Sequence, residues 1–120
     1  MKEIIAIIRP GKDRETKEAL RSIDCFACTS HRVYGRGKQR GLKYQVASKG
    51  ATELSQAVVM RYLPKKMITI VVPDGKVKPV VETIIRVNQS GQFGDGRIFV
   101  MDAKEAYRIR TGEKGEDVLQ

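Results

Sequence analysis

The sequence predicts an α+β fold, an antiparallel sheet with two helices on one of its faces. Three observations carry the prediction. The chain reads strand, helix, strand, a long irregular excursion, then strand, helix, strand, an order that suits helices gathered on one side of an antiparallel sheet. The strand-like runs are short, apolar and mostly bounded by Pro or Gly, while the helical runs space their apolar residues three and four apart. Finally, 120 residues with 41% apolar and 31% charged content are ordinary for one globular domain, spanning residues 1–120. Trp is absent and aromatics make up only 6%, so the core must rest on Ile, Val and Leu.

Residues 3–9 read as a buried strand, because Ile4, Ile5, Ala6, Ile7 and Ile8 are continuous and Pro10 closes the run. Asp13 is placed to cap the next helix, whose apolar positions Ala19, Leu20 and Ile23 share a face. A second strand covers residues 29–34. Gly35, Gly37 and Gly41 then break regularity and open a long excursion, about residues 37–61. Within it residues 51–62 have the composition of a helix, whereas residues 42–50 keep no period. A segment this long without clear structure inside a compact domain is functional or mobile. Pro64 precedes a third, buried strand at residues 67–72, which Pro73-Asp74-Gly75 ends. The helix over residues 77–87 carries Val77, Val80, Val81, Ile84 and Ile85 on one stripe suited to packing on a sheet. Residues 97–101 form the last strand. The sum is a ferredoxin-like βαββαβ sandwich with a long loop between the second and third strands.

Between the second helix and the last strand lies Ser90-Gly91-Gln92-Phe93-Gly94-Asp95-Gly96-Arg97. Its three glycines allow positive φ and a close approach of backbone to a ligand. The order helix, loop, strand is the reverse of the dinucleotide and Walker phosphate loops, and neither of their signatures is present. Successive backbone N–H groups in such a loop can still form an anion nest, with Arg97 adding charge. Downstream, Arg108-Ile109-Arg110-Thr111-Gly112 places two arginines two apart. In an extended segment both guanidinium groups project from one face, an arrangement suited to phosphate oxygens. The same alternation groups Arg36, Lys38 and Arg40.

The net charge of +9 is unevenly distributed: from Asp24 to Glu53 no acidic residue intervenes, while Arg32, Arg36, Lys38, Arg40, Lys43 and Lys49 are all basic. Such a block favours a polyanion, a phosphorylated ligand or an acidic protein surface. Cys25 and Cys28 stand at C-x-x-C spacing with His31 three residues on, but no second ligand pair completes a zinc site and the pair does not open a helix. They read as ordinary reduced thiols. The start, Met1-Lys2-Glu3-Ile4, runs straight into a strand without a signal-peptide pattern, and no stretch approaches the roughly 18 apolar residues of a membrane span. A cytoplasmic protein is the expectation.

Several segments together resemble the PII nitrogen-regulatory proteins. They are Ile7-Ile8-Arg9-Pro10, Gly35-Arg36-Gly37-Lys38-Gln39-Arg40-Gly41, Leu63-Pro64-Lys65, the glycine loop with the strand after it, and Arg108 to Gly112. The likeness covers roughly residues 1–41 and 62–115. The glycine loop followed by R-I-R-T-G is the specific pair. Arg-Tyr-Leu-Pro-Lys-Lys and Val-Asn-Gln-Ser-Gly, with the long loop, are most similar to the nitrogenase-regulating branch, in particular the second of its paired regulators.

The resemblance implies a homotrimer, or a hetero-oligomer with a sibling PII-like subunit, that binds ATP or ADP in clefts between subunits. It implies that 2-oxoglutarate joins ATP and Mg²⁺ and reshapes the long loop, which docks on a target protein, dinitrogenase in this branch. On the matching positions, Gly35, Gly37, Lys38, Gly94, Asp95, Gly96 and Arg97 bind the nucleotide. Thr29 lines the adenine side, and Arg108 and Arg110 reach the phosphates from the neighbouring subunit. Gln39 holds Mg²⁺ and, with Lys65, 2-oxoglutarate. Chelation by 2-oxoglutarate of a metal already held by ATP makes its binding depend on ATP. Three departures stand out. Lys38 occupies a position where the family often has Arg, Thr69 replaces an acidic residue, and the central loop is longer, with Tyr44 outside the context of the family's modified tyrosine.

Two other classes compete with this sensor. A basic ferredoxin-like nucleic-acid-binding module fits the charge, yet residues 97–100 supply one aromatic and no RNP motif. For an enzyme, the single His31 and the want of a nucleophile–base pair leave no recognisable catalytic set, so catalysis is not expected.

Overall fold

In the computed structural model, which describes residues 1–37 and 62–119, the elements follow in the expected order. They are β1 (Lys2–Ile8), α1 (Asp13–Ser22), β2 (Thr29–Gly35), β3 (Leu63–Val72), α2 (Val77–Asn88) and β4 (Gly96–Asp102). Every strand pairing is antiparallel and the sheet order is β2-β3-β1-β4. The fold is therefore the ferredoxin-like α+β sandwich. The excursion at 38–61, with the helix expected from residue 51, lies outside the described residues.

Register decides which side chains meet the helices. Ile4, Ala6 and Ile8 of β1 stand opposite Ile70, Ile68 and Lys66 of β3, and opposite Val100, Ile98 and Gly96 of β4. Ile4, Ala6, Ile8, Ile68, Ile70 and Val72 form one buried cluster with Leu20 of α1 and Val80 and Ile84 of α2. The reading of β1 as buried is thus met on one face only. Ile5 and Ile7 point the other way and are half-exposed, beside Phe99 and Met101, which are 46% and 42% exposed. A continuous Ile run records two apolar faces, and this chain covers one of them with its own helices.

Two local expectations are corrected. Asp13 does not cap α1; Lys12 occupies that position in helical conformation and no side chain caps the helix. The short 3₁₀ turn Pro10–Lys12 already carries the chain in helical geometry, so Asp13 becomes the first helical residue. There its carboxylate accepts a hydrogen bond from Lys17 Nζ at 3.0 Å, where negative charge complements the helix dipole. The third strand also starts earlier than expected, at Leu63, and contains Pro64. The β1 register ends at Lys66, so at Pro64 the strand has β2 as its one neighbour, an edge position that tolerates the missing N–H.

The helices are joined by a buried polar link. Thr16, fully buried, donates from Oγ1 to the Lys12 carbonyl at 2.7 Å. It accepts from Asn88 Nδ2 at 3.0 Å, and the same amide nitrogen donates to the Ile84 carbonyl at 2.9 Å. Replacing Thr16 with Val keeps the shape and deletes the acceptor, stranding a buried N–H. A loss of about 1–3 kcal/mol in urea unfolding is expected, with Thr16→Ser costing less. Equal stability of Thr16→Val and wild type would show that the link contributes nothing. Among the described residues no helix is long and apolar enough to cross a membrane.

Candidate functional site

The glycine loop after α2 is organised around one carboxylate. Asp95 Oδ2 accepts the backbone N–H groups of Ser90 at 2.8 Å and Gly91 at 2.9 Å, and its Oδ1 accepts the Ser90 hydroxyl. Arg9, just past the end of β1, places its guanidinium 3.5 Å from the same carboxylate and donates to the Phe93 carbonyl at 2.9 Å. The Ser90 hydroxyl first, then the Ser90 and Gly91 amides and Arg9, hold the Asp95 pKa down to about 2. The expected nest of free amides is therefore corrected at its first two positions, since those donors are filled by the loop's own aspartate. Gly91, Gly94 and Gly96 take positive φ values of 85°, 99° and 116°, as the glycine spacing implied.

This loop forms one wall of a cleft of about 580 Å³ at the end of the sheet, on the face away from the helices. Gly35, Arg36 and Gly37 close the opposite side, and Leu63, Lys65, Ile7 and Phe99 line it along the sheet. Lys65 is buried and donates from Nζ to the Gly94 carbonyl at 2.8 Å, tying β3 to the loop. Burial, followed by the nearby Arg9, pushes its pKa below that of a free lysine, while Asp95 acts in the opposite sense. Arg36 and Arg97 bring two more cations to the rim. Among the described residues that line the cleft, Asp95 is the only carboxylate, and it already faces Arg9. The cleft is cationic, with a partly apolar wall, and suits an anion carrying a flat or aliphatic body.

Of the sequence-selected residues, Gly35, Gly37, Lys65, Gly94, Asp95, Gly96 and Arg97 converge on this cleft. Lys38 and Gln39 lie outside the described residues. Thr29 does not join them: it pairs with Thr69 at the far end of β2, six residues and about 20 Å along the strand from Gly35. Arg108 and Arg110 are absent from the cleft lining, and their expected extended geometry is corrected. The Gly112 N–H bonds back to the Arg108 carbonyl at 2.7 Å and the Arg108 N–H to the Glu113 carbonyl at 2.8 Å. Gly112, at φ 73°, lets the chain reverse there, so alternation along a strand does not apply. Arg108 turns its guanidinium onto the Glu113 carboxylate and the Asp117 carbonyl, and Arg110 stands exposed in the turn.

Sequence reasoning missed Arg9 as the clamp of the loop and Ser90 as the first partner of Asp95. A charge directly after the five-residue apolar run Ile4 to Ile8 was the available signal for Arg9. Cys25 is buried, with its thiol pKa raised mainly by that burial, while Cys28 is exposed. Among the described residues no group of three or more His, Cys, Asp or Glu side chains is arranged to hold a metal ion.

Comparison with known proteins gives these observations a family. The family model for nitrogen regulatory protein P-II matches residues 1–113. The chain is 46% identical over 121 residues to the nitrogen fixation nifHD region GlnB-like protein 2 of Methanobacterium ivanovii, covering 99% of each chain. It is 48% identical over 123 residues to the protein of the same description from Methanococcus maripaludis, covering 99% of this chain and all of that one. To nitrogen regulatory protein P-II 1 of Escherichia coli it is 43% identical over 121 residues, covering 99% and 100%. On matches of this extent, the chain belongs to the nitrogen regulatory protein P-II family, in the branch of the nitrogen-fixation-region GlnB-like proteins.

Proposed function

We propose that the protein is a non-enzymatic sensor that takes an adenine nucleotide and 2-oxoglutarate into the cationic cleft and controls a partner, nitrogenase, through residues 37–61. The observation that supports it best is the convergence of Arg36, Lys65 and Arg97 on a cleft whose one carboxylate among the described residues is already neutralised by Arg9. That donor set fits a polyphosphate and a dicarboxylate, which need fixed cations more than catalytic groups. Arg97 and Arg36 bind phosphate oxygens at the rim, and buried Lys65 receives the distal carboxylate of 2-oxoglutarate. Lys38 and Gln39 lie outside the described residues; the family resemblance gives Lys38 a phosphate contact and Gln39 the role of an Mg²⁺ ligand. Gln39 would help hold the metal, whose positive charge would favour phosphate and α-keto-acid oxygens together and so would make 2-oxoglutarate binding conditional on ATP. The relatives named for the nifHD region support the choice of nitrogenase.

The half-exposed apolar face bearing Ile5, Ile7, Phe99 and Met101 supports assembly with further copies or a sibling chain. Thr29, Arg108 and Arg110, none of which lines the chain's own cleft, then serve a neighbour's cleft. In that contact phosphate replaces Glu113 as the partner of Arg108.

Calorimetric titration of 2-oxoglutarate with and without Mg²⁺-ATP tests the reading: heat only in the presence of ATP is expected. Binding of neither ligand overturns it, and unchanged binding in an Arg108→Ala/Arg110→Ala variant overturns those two assignments. Lys65→Met should weaken 2-oxoglutarate at least about tenfold while sparing ATP more. Because only charged Lys65 attracts the carboxylate, affinity should fall as pH rises through its lowered pKa, at a lower pH than an exposed lysine allows. In Lys65→Met that alkaline loss should vanish. Its persistence would remove Lys65 from the site.

A further inference from the structure

Arg32 of β2 and Lys66 of β3 stand directly opposite each other. Their rung looks toward the helices, because Lys66 pairs with core-facing Ile8 and the neighbouring Ser30 accepts a hydrogen bond from Lys17 Nζ of α1 at 2.9 Å. Side chains paired this way have Cβ atoms about 4.5–5.5 Å apart, where like charges repel. Among the described residues no carboxylate is paired with either cation; the acids of α1 are engaged, Asp13 with Lys17, Glu15 with Lys12 and Glu18 with Arg14. The next rung on the same face sets Tyr34, 64% exposed, against exposed Pro64. The result is a pair of uncompensated cations beside an apolar ledge, outside the cleft lining.

We infer that this rung is a docking surface for an acidic segment of a partner protein. Carboxylates of that segment enter between the Arg32 guanidinium and the Lys66 ammonium, relieving their repulsion, and an adjoining apolar side chain lies on Tyr34 and Pro64. Tyr and Arg are the residues that dominate protein interfaces. A nucleic acid fits less well. It needs a longer cationic track, and along α1 the exposed Glu15 and Glu18 interrupt one. The inference uses neither the cleft nor its ligands.

The test uses the full-length protein and a fluorescein-labelled peptide of eight glutamates around one leucine, with a single-stranded RNA octamer as comparison. Carbodiimide, which joins carboxylates to amines in direct contact, should couple the peptide to Lys66. Arg32→Glu/Lys66→Glu should raise the peptide Kd by about tenfold or more in fluorescence anisotropy. Lys78→Glu/Arg86→Glu, on α2, changes net charge equally and should leave the Kd within about twofold. Arg32→Gln/Lys66→Gln, which adds no acid pair, should weaken binding in the same direction and guards against a folding defect in the reversal. Four results overturn the inference: no peptide binding, coupling confined to lysines within residues 38–61, equal weakening by the α2 variant, or RNA bound more tightly than the peptide.

Discussion

Gly96→Ala is expected to be far more damaging than the same added methyl group at Gly91, Gly35 or Gly37. At Gly96, φ is 116°, and an added Cβ falls 1.8 Å from the Ile7 carbonyl oxygen and 2.9 Å from its carbon. Both atoms belong to the backbone of β1, which is paired on both sides, so no side-chain rotation relieves the overlap. Either β4 leaves its register at the Ile8–Gly96 pair or β1 shifts against β3. The left-handed conformation adds its own penalty to the clash. A loss of about 3 kcal/mol or more is expected, and with it a fall of roughly 10 °C in Tm. Gly91→Ala provides the control. Its φ of 85° is also left-handed, yet a Cβ there meets nothing within 4 Å. That variant should lose about 1–2 kcal/mol, the conformational penalty alone. Similar urea midpoints for the two variants would mean that the loop does not lie against β1 as described.

The contrast between these glycines marks what the sequence could express. Spacing alone announced that the loop needs residues free to take positive φ, and all three glycines took it. It did not reveal that one of them abuts a strand some ninety positions earlier, because that contact depends on sheet order. Periodicity worked where each element answers to its own burial, as for Val80 and Ile84 on α2 and for the Ile residues of β1. It failed where one element's role is set by another. Asp13 has the chemistry of a cap, but the Pro10 turn delivered it one position too late. Arg108 and Arg110 have the spacing of a strand face, but Gly112 folds the chain back under them. Within the site, the glycine loop and Lys65 were legible as residues with a role, whereas Arg9 stood in the opening-strand motif with no role assigned to it. Its partner Asp95 lies in another segment, and a lone arginine at a strand end has many possible uses.

Removing the Asp95 carboxylate should disorganise the loop while leaving the core intact. Asp95→Ala strands the Ser90 and Gly91 amides and leaves Arg9 with the Phe93 carbonyl alone. Asp95→Asn keeps one acceptor oxygen but turns an NH₂ group toward donors or toward Arg9, so it restores the arrangement only in part. Both variants should still unfold cooperatively but at a midpoint below wild type, because folding favours the charged carboxyl group although the buried cluster does not include the loop. Both should lose hydrogen-exchange protection at Ser90 and Gly91, and Mg²⁺-ATP affinity should drop about tenfold or more in Asp95→Ala. The acid side supplies an independent check with a fixed sign. The folded carboxyl group titrates at about 2 against an ordinary 3.8, so folding favours its charged form. Its contribution is complete above about pH 4 and is lost as pH falls toward 2. The amide proton shifts of Ser90 and Gly91 should therefore stay level down to about pH 3 and move below it. A midpoint near 3.8 would show a solvated carboxylate that organises nothing. In that case the rim of the cleft owes its form to the glycines and to Lys65, whose ammonium holds the Gly94 carbonyl from the other side.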